Sequence, residues 1–104
     1  MKEQLAEKDL QFDYEKKKAH IKEAVRQLSR ITHKSTAVIW SKLYSILKYE
    51  YKINVYERRL AFMYNNPGVQ DKALFEFVKN CEIKQLELSI SKLYAIYGYS
   101  YTYF

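Results

Sequence analysis

Apolar side chains recur at three- and four-residue steps along nearly the whole chain, which is the period of a helix with one face turned to a core. Between residues 2 and 31, Leu10, Tyr14, Ile21, Ala24, Leu28 and Ile31 share one stripe, uninterrupted by glycine or proline. Glu7 and Lys17 occupy stripe positions where a coiled coil needs apolar residues, so the pattern is stronger in its second half. At 1.5 Å per residue this predicts a helix of about 45 Å. The segment Thr32-His33-Lys34-Ser35 ends it, and Ser35 or Thr36 is placed to cap a second helix over residues 36–52.

That second helix has the densest stripe: Trp40, Leu43, Tyr44, Leu47 and Tyr51. Asn54, with Glu57 three residues on, reads as the cap of a short helix through Leu60, Phe62, Met63 and Tyr64. Asn65-Asn66-Pro67-Gly68 is the clearest turn. Asp71 is expected to open a fourth helix carrying Ala73, Leu74, Phe77, Val78 and Cys81, with a break near Asn80. Ile83, Leu86, Ile90, Leu93 and Tyr97 then keep strict helical spacing up to Gly98, a residue suited to a helix C-terminus. The last six residues alternate aromatic and small polar side chains. That is strand period, but too short to make a sheet alone.

The predicted architecture is therefore all-α. A long charged helix over residues 1–34 leads into a compact body of three or four helices over residues 35–104, with an aromatic C-terminal tail, as one structural domain. Composition agrees: two glycines and one proline are too few for a loop-rich β fold, and 48% hydrophobic residues suffice for a core. The single cysteine excludes an internal disulfide and fits a reducing cytoplasm. The first ten residues hold no apolar signal core, and no apolar run approaches membrane-spanning length, so no membrane association is expected.

Catalytic patterns are missing. His20 and His33 fall on different elements, and no metal-binding or nucleophile motif surrounds them. Two glycines cannot build a phosphate-cradling loop. Cys81 lies on the stripe of Leu74, Phe77 and Val78, so it is expected to be a buried structural thiol. The chain is read as a binding module with no catalytic residues, metal or cofactor.

A net charge of +6 favours an acidic partner. The charge is split along the first helix. Glu3, Glu7, Asp9, Asp13 and Glu15 against Lys2 and Lys8 leave residues 2–15 at −3. Lys16, Lys17, Lys18, Lys22, Arg26, Arg30 and Lys34 against Glu23 leave residues 16–34 at +6. The plain reading of this split is complementation of the helix dipole, which favours acids early and bases late. The four-residue spacing of Lys18, Lys22, Arg26 and Arg30, however, sets like charges against each other and calls for an offset, from an acidic partner, phosphates or a second copy. Aromatic and basic residues interleave from Tyr44 to Arg59, a pattern that serves protein interfaces and, less favoured here, single-stranded nucleic acid. Tyr49, Tyr56, Arg58, Arg59 and Tyr64, with Tyr99, Tyr101 and Phe104 of the tail, are the expected partner contacts.

The run Val25-x2-Leu28 … Ile39-Trp40-x2-Leu43-Tyr44-x2-Leu47-x3-Tyr51-x-Ile53 resembles the C-terminal module of phage antirepressors, over about residues 20–56. That resemblance implies a regulatory module binding a phage repressor. In length and overall character the whole chain is also similar to the small staphylococcal phage inhibitors of the host DNA helicase loader. This second resemblance implies a protein that works in the host bacterial cytoplasm. It would bind the loader's ATPase domain stoichiometrically and stop host DNA replication.

The first helix also raises the expectation of self-association. A helix of this length outruns a body of about 70 residues. A second copy, packed antiparallel so that acidic and basic halves meet, would cover Leu10, Tyr14, Ile21, Leu28 and Ile31. An antiparallel or partly antiparallel homodimer is the expected oligomer; the rival is a first helix that folds back over its own domain, with the same charges facing the second and fourth helices.

Overall fold

The computed structural model describes the backbone of residues 2–101 and the side chains of residues 13–101. Among these the chain forms four α-helices: α1 (Lys2–Thr32), α2 (Thr36–Tyr51), α3 (Val55–Asn65) and α4 (Ile83–Ile96). Two 3-10 turns, Leu74–Phe77 and Asn80–Glu82, lie between α3 and α4. The fold is all-α, with no strand among the described residues.

The helix boundaries follow local chemistry. His33, in the left-handed conformation (φ 58°), reverses the chain after α1. Ser35 caps α2, its hydroxyl accepting from the Val38 amide at 3.3 Å. α2 ends at Lys52, also left-handed (φ 60°). There the Ile53 amide donates to the Leu47 carbonyl at 3.2 Å and the Ile53 side chain is buried. The Lys52 amide donates to the Lys48 carbonyl at 3.0 Å, the simple left-handed closure of a helix, made here without glycine. Asn54 caps α3, Oδ1 accepting from the Glu57 amide at 3.1 Å. Gly98 (φ 84°) closes α4, and the Tyr99 amide returns to the Tyr94 carbonyl at 2.9 Å.

α1, α2 and α4 pack mutually, while α3 packs on the first 3-10 turn. The core is built from Ile21, Ala24, Val25 and Leu28 of α1, Ile39, Leu43, Tyr44 and Leu47 of α2, and Leu86, Ile90, Leu93 and Tyr94 of α4. The Tyr94 hydroxyl, inside this core, donates to the Ala24 carbonyl at 2.6 Å and ties α4 to α1.

Several expectations are corrected. Ile21 and Leu28 were assigned to a homodimer, but both are fully buried within one chain, because α2 and α4 cover this half of α1. Tyr14 is half-buried and its hydroxyl donates to the Val78 carbonyl of the same chain. Ile31 keeps 43% exposure, and the Leu10 side chain lies outside the described residues. On α2 the innermost position is Ile39, so Trp40 turns to the edge of the core and is only partly buried.

The segment from Asp71 is not an α-helix. It makes two separate 3-10 turns; the first buries Phe75, Val78 just after it is also buried, and Leu74 and Phe77 stay partly buried. Cys81, expected inside, is exposed. A three-residue period rotates the side chains away from the faces that an α-helix would give them.

The row of like charges on α1 finds its offset inside the chain. Lys18 is buried to 4% exposure, 3.5 Å from Glu76 and 4.9 Å above the Tyr14 ring. Lys22 lies 5.4 Å over Phe75. Arg26 and Arg30 share the carboxylate of Glu23, each at 3.1 Å.

Candidate protein-docking surface

α3 is amphipathic in an unusual sense, because its apolar stripe faces outward. Tyr56, Leu60, Met63 and Tyr64 fall at i, i+4, i+7 and i+8, within about 100° of arc on one helix face. They are 39%, 67%, 46% and 86% exposed. The opposite side holds α3 to the body. Phe62 meets Phe77 edge-on at 5.7 Å. Arg58 forms a two-armed pair with Glu82, Nη2 to Oε2 at 2.7 Å, and also donates to the Phe77 carbonyl at 2.8 Å. Arg59 pairs with Asp71 through two guanidinium nitrogens. With Val55, Phe62 and both arginines engaged with the body, the stripe from Tyr56 to Tyr64 is left largely to solvent.

Tyr56 also ends a chain of aromatic contacts. Its ring meets Tyr44 edge-on at 5.9 Å, Tyr44 stacks on Trp40 at 5.5 Å, and Trp40 meets Phe75 edge-on at 5.2 Å. These rings floor a cleft of about 460 Å³, with Lys22 and Arg26 of α1 on its wall. Burial pushes the Tyr44 phenol well above its ordinary pKa, so it stays a neutral hydroxyl. Through Tyr56 the cleft runs into the open stripe of α3, and the two make one surface.

Of the expected contacts, Tyr56 and Tyr64 belong to this surface. Arg58 and Arg59 do not stand free to meet a partner, since each is bound to a carboxylate of its own chain. Tyr49 is exposed, but it sits nine residues from Trp40, on the opposite face of α2, with Lys48 5.1 Å from its ring. Tyr101 packs back on the body, its ring 4.8 Å from that of Tyr94. Tyr99 and Tyr101 wall a separate cleft of about 570 Å³ against His20, Gln27 and Ile31 of α1. Phe104 lies outside the described residues.

Leu60 and Met63 were not anticipated as site residues, and Lys22 and Arg26 only as members of the basic row on α1. The spacing of Leu60 and Met63 with Tyr56 and Tyr64 was visible, but core and interface stripes have the same period. Only the packing of α3 shows which way the stripe points.

Among the described residues no cluster of His, Cys, Asp and Glu is arranged to hold a metal ion, and no helix is long and apolar enough to cross a membrane. No protein-family model, curated protein or solved structure matches the chain.

Proposed function

We propose that this protein is a stoichiometric inhibitor that works by occupying another protein, with the α3 stripe and the aromatic cleft as its docking surface. The carrying observation is the solvent-facing stripe of Tyr56, Leu60, Met63 and Tyr64. A helix in so small a domain would normally turn such a stripe inward, and contiguous exposed apolar patches mark interaction sites. Tyrosine, leucine and methionine also supply contact area that a polar face cannot.

The resemblance to staphylococcal phage inhibitors supplies the partner: the ATPase domain of the host DNA helicase loader, whose occupation would block host DNA replication. Isothermal titration of the purified loader domain with this protein tests it. A one-to-one complex is expected, lost in a Leu60→Glu/Tyr64→Glu variant that melts like the wild type. Absence of any complex at micromolar concentration overturns the loader as partner.

A second reading is supported by residues 20–56, the span that resembles antirepressors. Its apolar positions Val25, Leu28, Ile39, Leu43, Tyr44, Leu47 and Ile53 all lie in the core, and the chain leaves α2 through the left-handed Lys52. In that reading the same surface takes a phage repressor. The same titration with a phage repressor in place of the loader separates the two.

A further inference from the structure

The cleft beside α3 has a one-sided chemistry. Its wall carries two cations, Lys22 and Arg26, and no carboxylate, while its floor is aromatic. Arg26 is only half neutralised, because the Glu23 carboxylate serves Arg30 as well. Lys22 has no carboxylate partner among the described residues; it rests over the Phe75 ring. The cleft therefore offers apolar contact at its base and only partly compensated positive charge at its lip.

Two ligand classes answer to cations beside aromatic rings: a nucleic-acid strand, and a peptide with an apolar side chain next to acids. Strand binding without sequence preference needs open ring faces for the bases. Here the faces are spent internally. Trp40 lies at 22° to Tyr44, nearly parallel, and Phe75 meets Trp40 at 89°. Tyr44 is 5% exposed. What remains is a rough apolar floor of ring edges, which suits insertion of a side chain better than stacking of a base. At about 460 Å³ the cleft is within the common size range of small-ligand pockets, about 300–1,000 Å³.

We infer that this cleft is an anchor pocket for an acidic segment of the partner, in which one bulky apolar side chain seats on Trp40, Tyr44 and Tyr56 while neighbouring carboxylates meet Lys22 and Arg26. The inference rests on the proposed docking function and names the chemistry that the partner must present. Salt screening confines exposed charges to a reach of about 8 Å at physiological ionic strength, so the acids must lie within a residue or two of the anchor. Contacts to Lys22 and Arg26 set register and orientation; the buried anchor supplies most of the affinity.

Trp40 is the single tryptophan of the chain, so its fluorescence reports on the cleft alone. The test titrates the intact protein with three end-blocked pentapeptides: Glu-Asp-Phe-Asp-Glu, its uncharged counterpart Gln-Asn-Phe-Asn-Gln, and Glu-Asp-Ala-Asp-Glu. A saturable change in emission is expected for the first. The uncharged peptide should bind about five- to tenfold more weakly, the loss of two exposed charge contacts. The alanine peptide should give no saturable change. A Lys22→Glu/Arg26→Glu protein should reverse the preference and take Lys-Lys-Phe-Lys-Lys instead. Both side chains are exposed, and circular dichroism checks the fold; if that variant misfolds, the three wild-type titrations decide alone.

No saturable response to the acidic phenylalanine peptide up to millimolar concentration overturns the pocket, as does equal affinity for its uncharged counterpart. A stronger response to oligothymidylate, falling steeply with salt, assigns the cleft to nucleic acid. The peptides and the loader fail separately. Peptide binding without a loader complex overturns the loader alone, and a charge-reversed protein that binds the loader at wild-type strength overturns the pocket alone.

Discussion

The guanidinium of Arg58 holds the carboxylate of Glu82, 24 residues further along the chain, with both terminal nitrogens. The same carboxylate accepts from the Lys79 amide at 2.9 Å, so Glu82 joins α3, the second 3-10 turn and the entry to α4. Arg58 is thus a strut of the fold. Arg58→Met should lower stability by about 2 kcal/mol at neutral pH, as hydrogen bonds to a charged group contribute roughly 1.5–3 kcal/mol. Thermal melts of the two proteins check this; equal melting temperatures would refute the strut.

The pair also sets a pH dependence. The hydrogen bonds from Arg58 hold the Glu82 carboxyl below its ordinary value of 4.5. A carboxylate with a lowered folded-state pKa contributes stability that is complete above its unfolded value and is lost as pH falls through the folded one. The stability gap between wild type and Arg58→Met should therefore be widest at neutral pH and shrink below about pH 4.5. Urea unfolding at pH 7 and pH 3 measures it, and a gap that widens in acid would contradict the assignment.

Leu43 and Trp40 lie on one helix at different depths. Leu43 is fully buried and Trp40 only partly so. Leu43→Ala should cost about 3–4 kcal/mol, within the usual range for emptying a core site. Trp40→Ala, which leaves an open cleft wall rather than a sealed cavity, should cost less despite removing more atoms. Denaturant titration of both decides, and the reverse order would mean that Trp40 is the true centre of the core.

Ile21→Glu distinguishes a core residue from a dimer contact. A charge placed at a fully buried site with no partner should unfold or severely destabilise the chain. Far-UV circular dichroism at micromolar concentration reads the outcome. A well-folded variant that differs only in sedimentation would return Ile21 to a subunit interface.

The outward stripe predicts the opposite behaviour. Leu60→Ser and Tyr64→Ser remove exposed apolar area, so stability should stay within about 0.5 kcal/mol of wild type. Loss of more than 2 kcal/mol in either would show that α3 packs by this face.

Much of the helical architecture could be read along the chain, because a cap or a helix period is a short-range property. Ser35, Asn54 and Gly98 act within three to five residues of themselves, and their roles follow from side-chain chemistry and backbone freedom. The periodicity from Tyr14 to Leu28, and again from Ile83 to Tyr97, specifies amphipathic helices wherever they later pack. The helix expected from Asp71 and the burial of Cys81 were misread because two short 3-10 turns and one α-helix differ only in a fraction of a residue per turn, too little for a short apolar pattern to separate.

Direction was decided by tertiary structure alone. Period tells that Ile21 and Leu28 share a face, and likewise Tyr56, Leu60, Met63 and Tyr64. It cannot tell that α2 and α4 bury the first face while the second keeps 39–86% exposure. The ionic partners were equally hidden: Lys18 meets Glu76 across 58 residues, and Arg59 meets Asp71 across 12. Such pairs depend on how helices come together in space, so that Arg58 and Arg59 each hold a carboxylate of their own chain is a tertiary property that no local pattern carries.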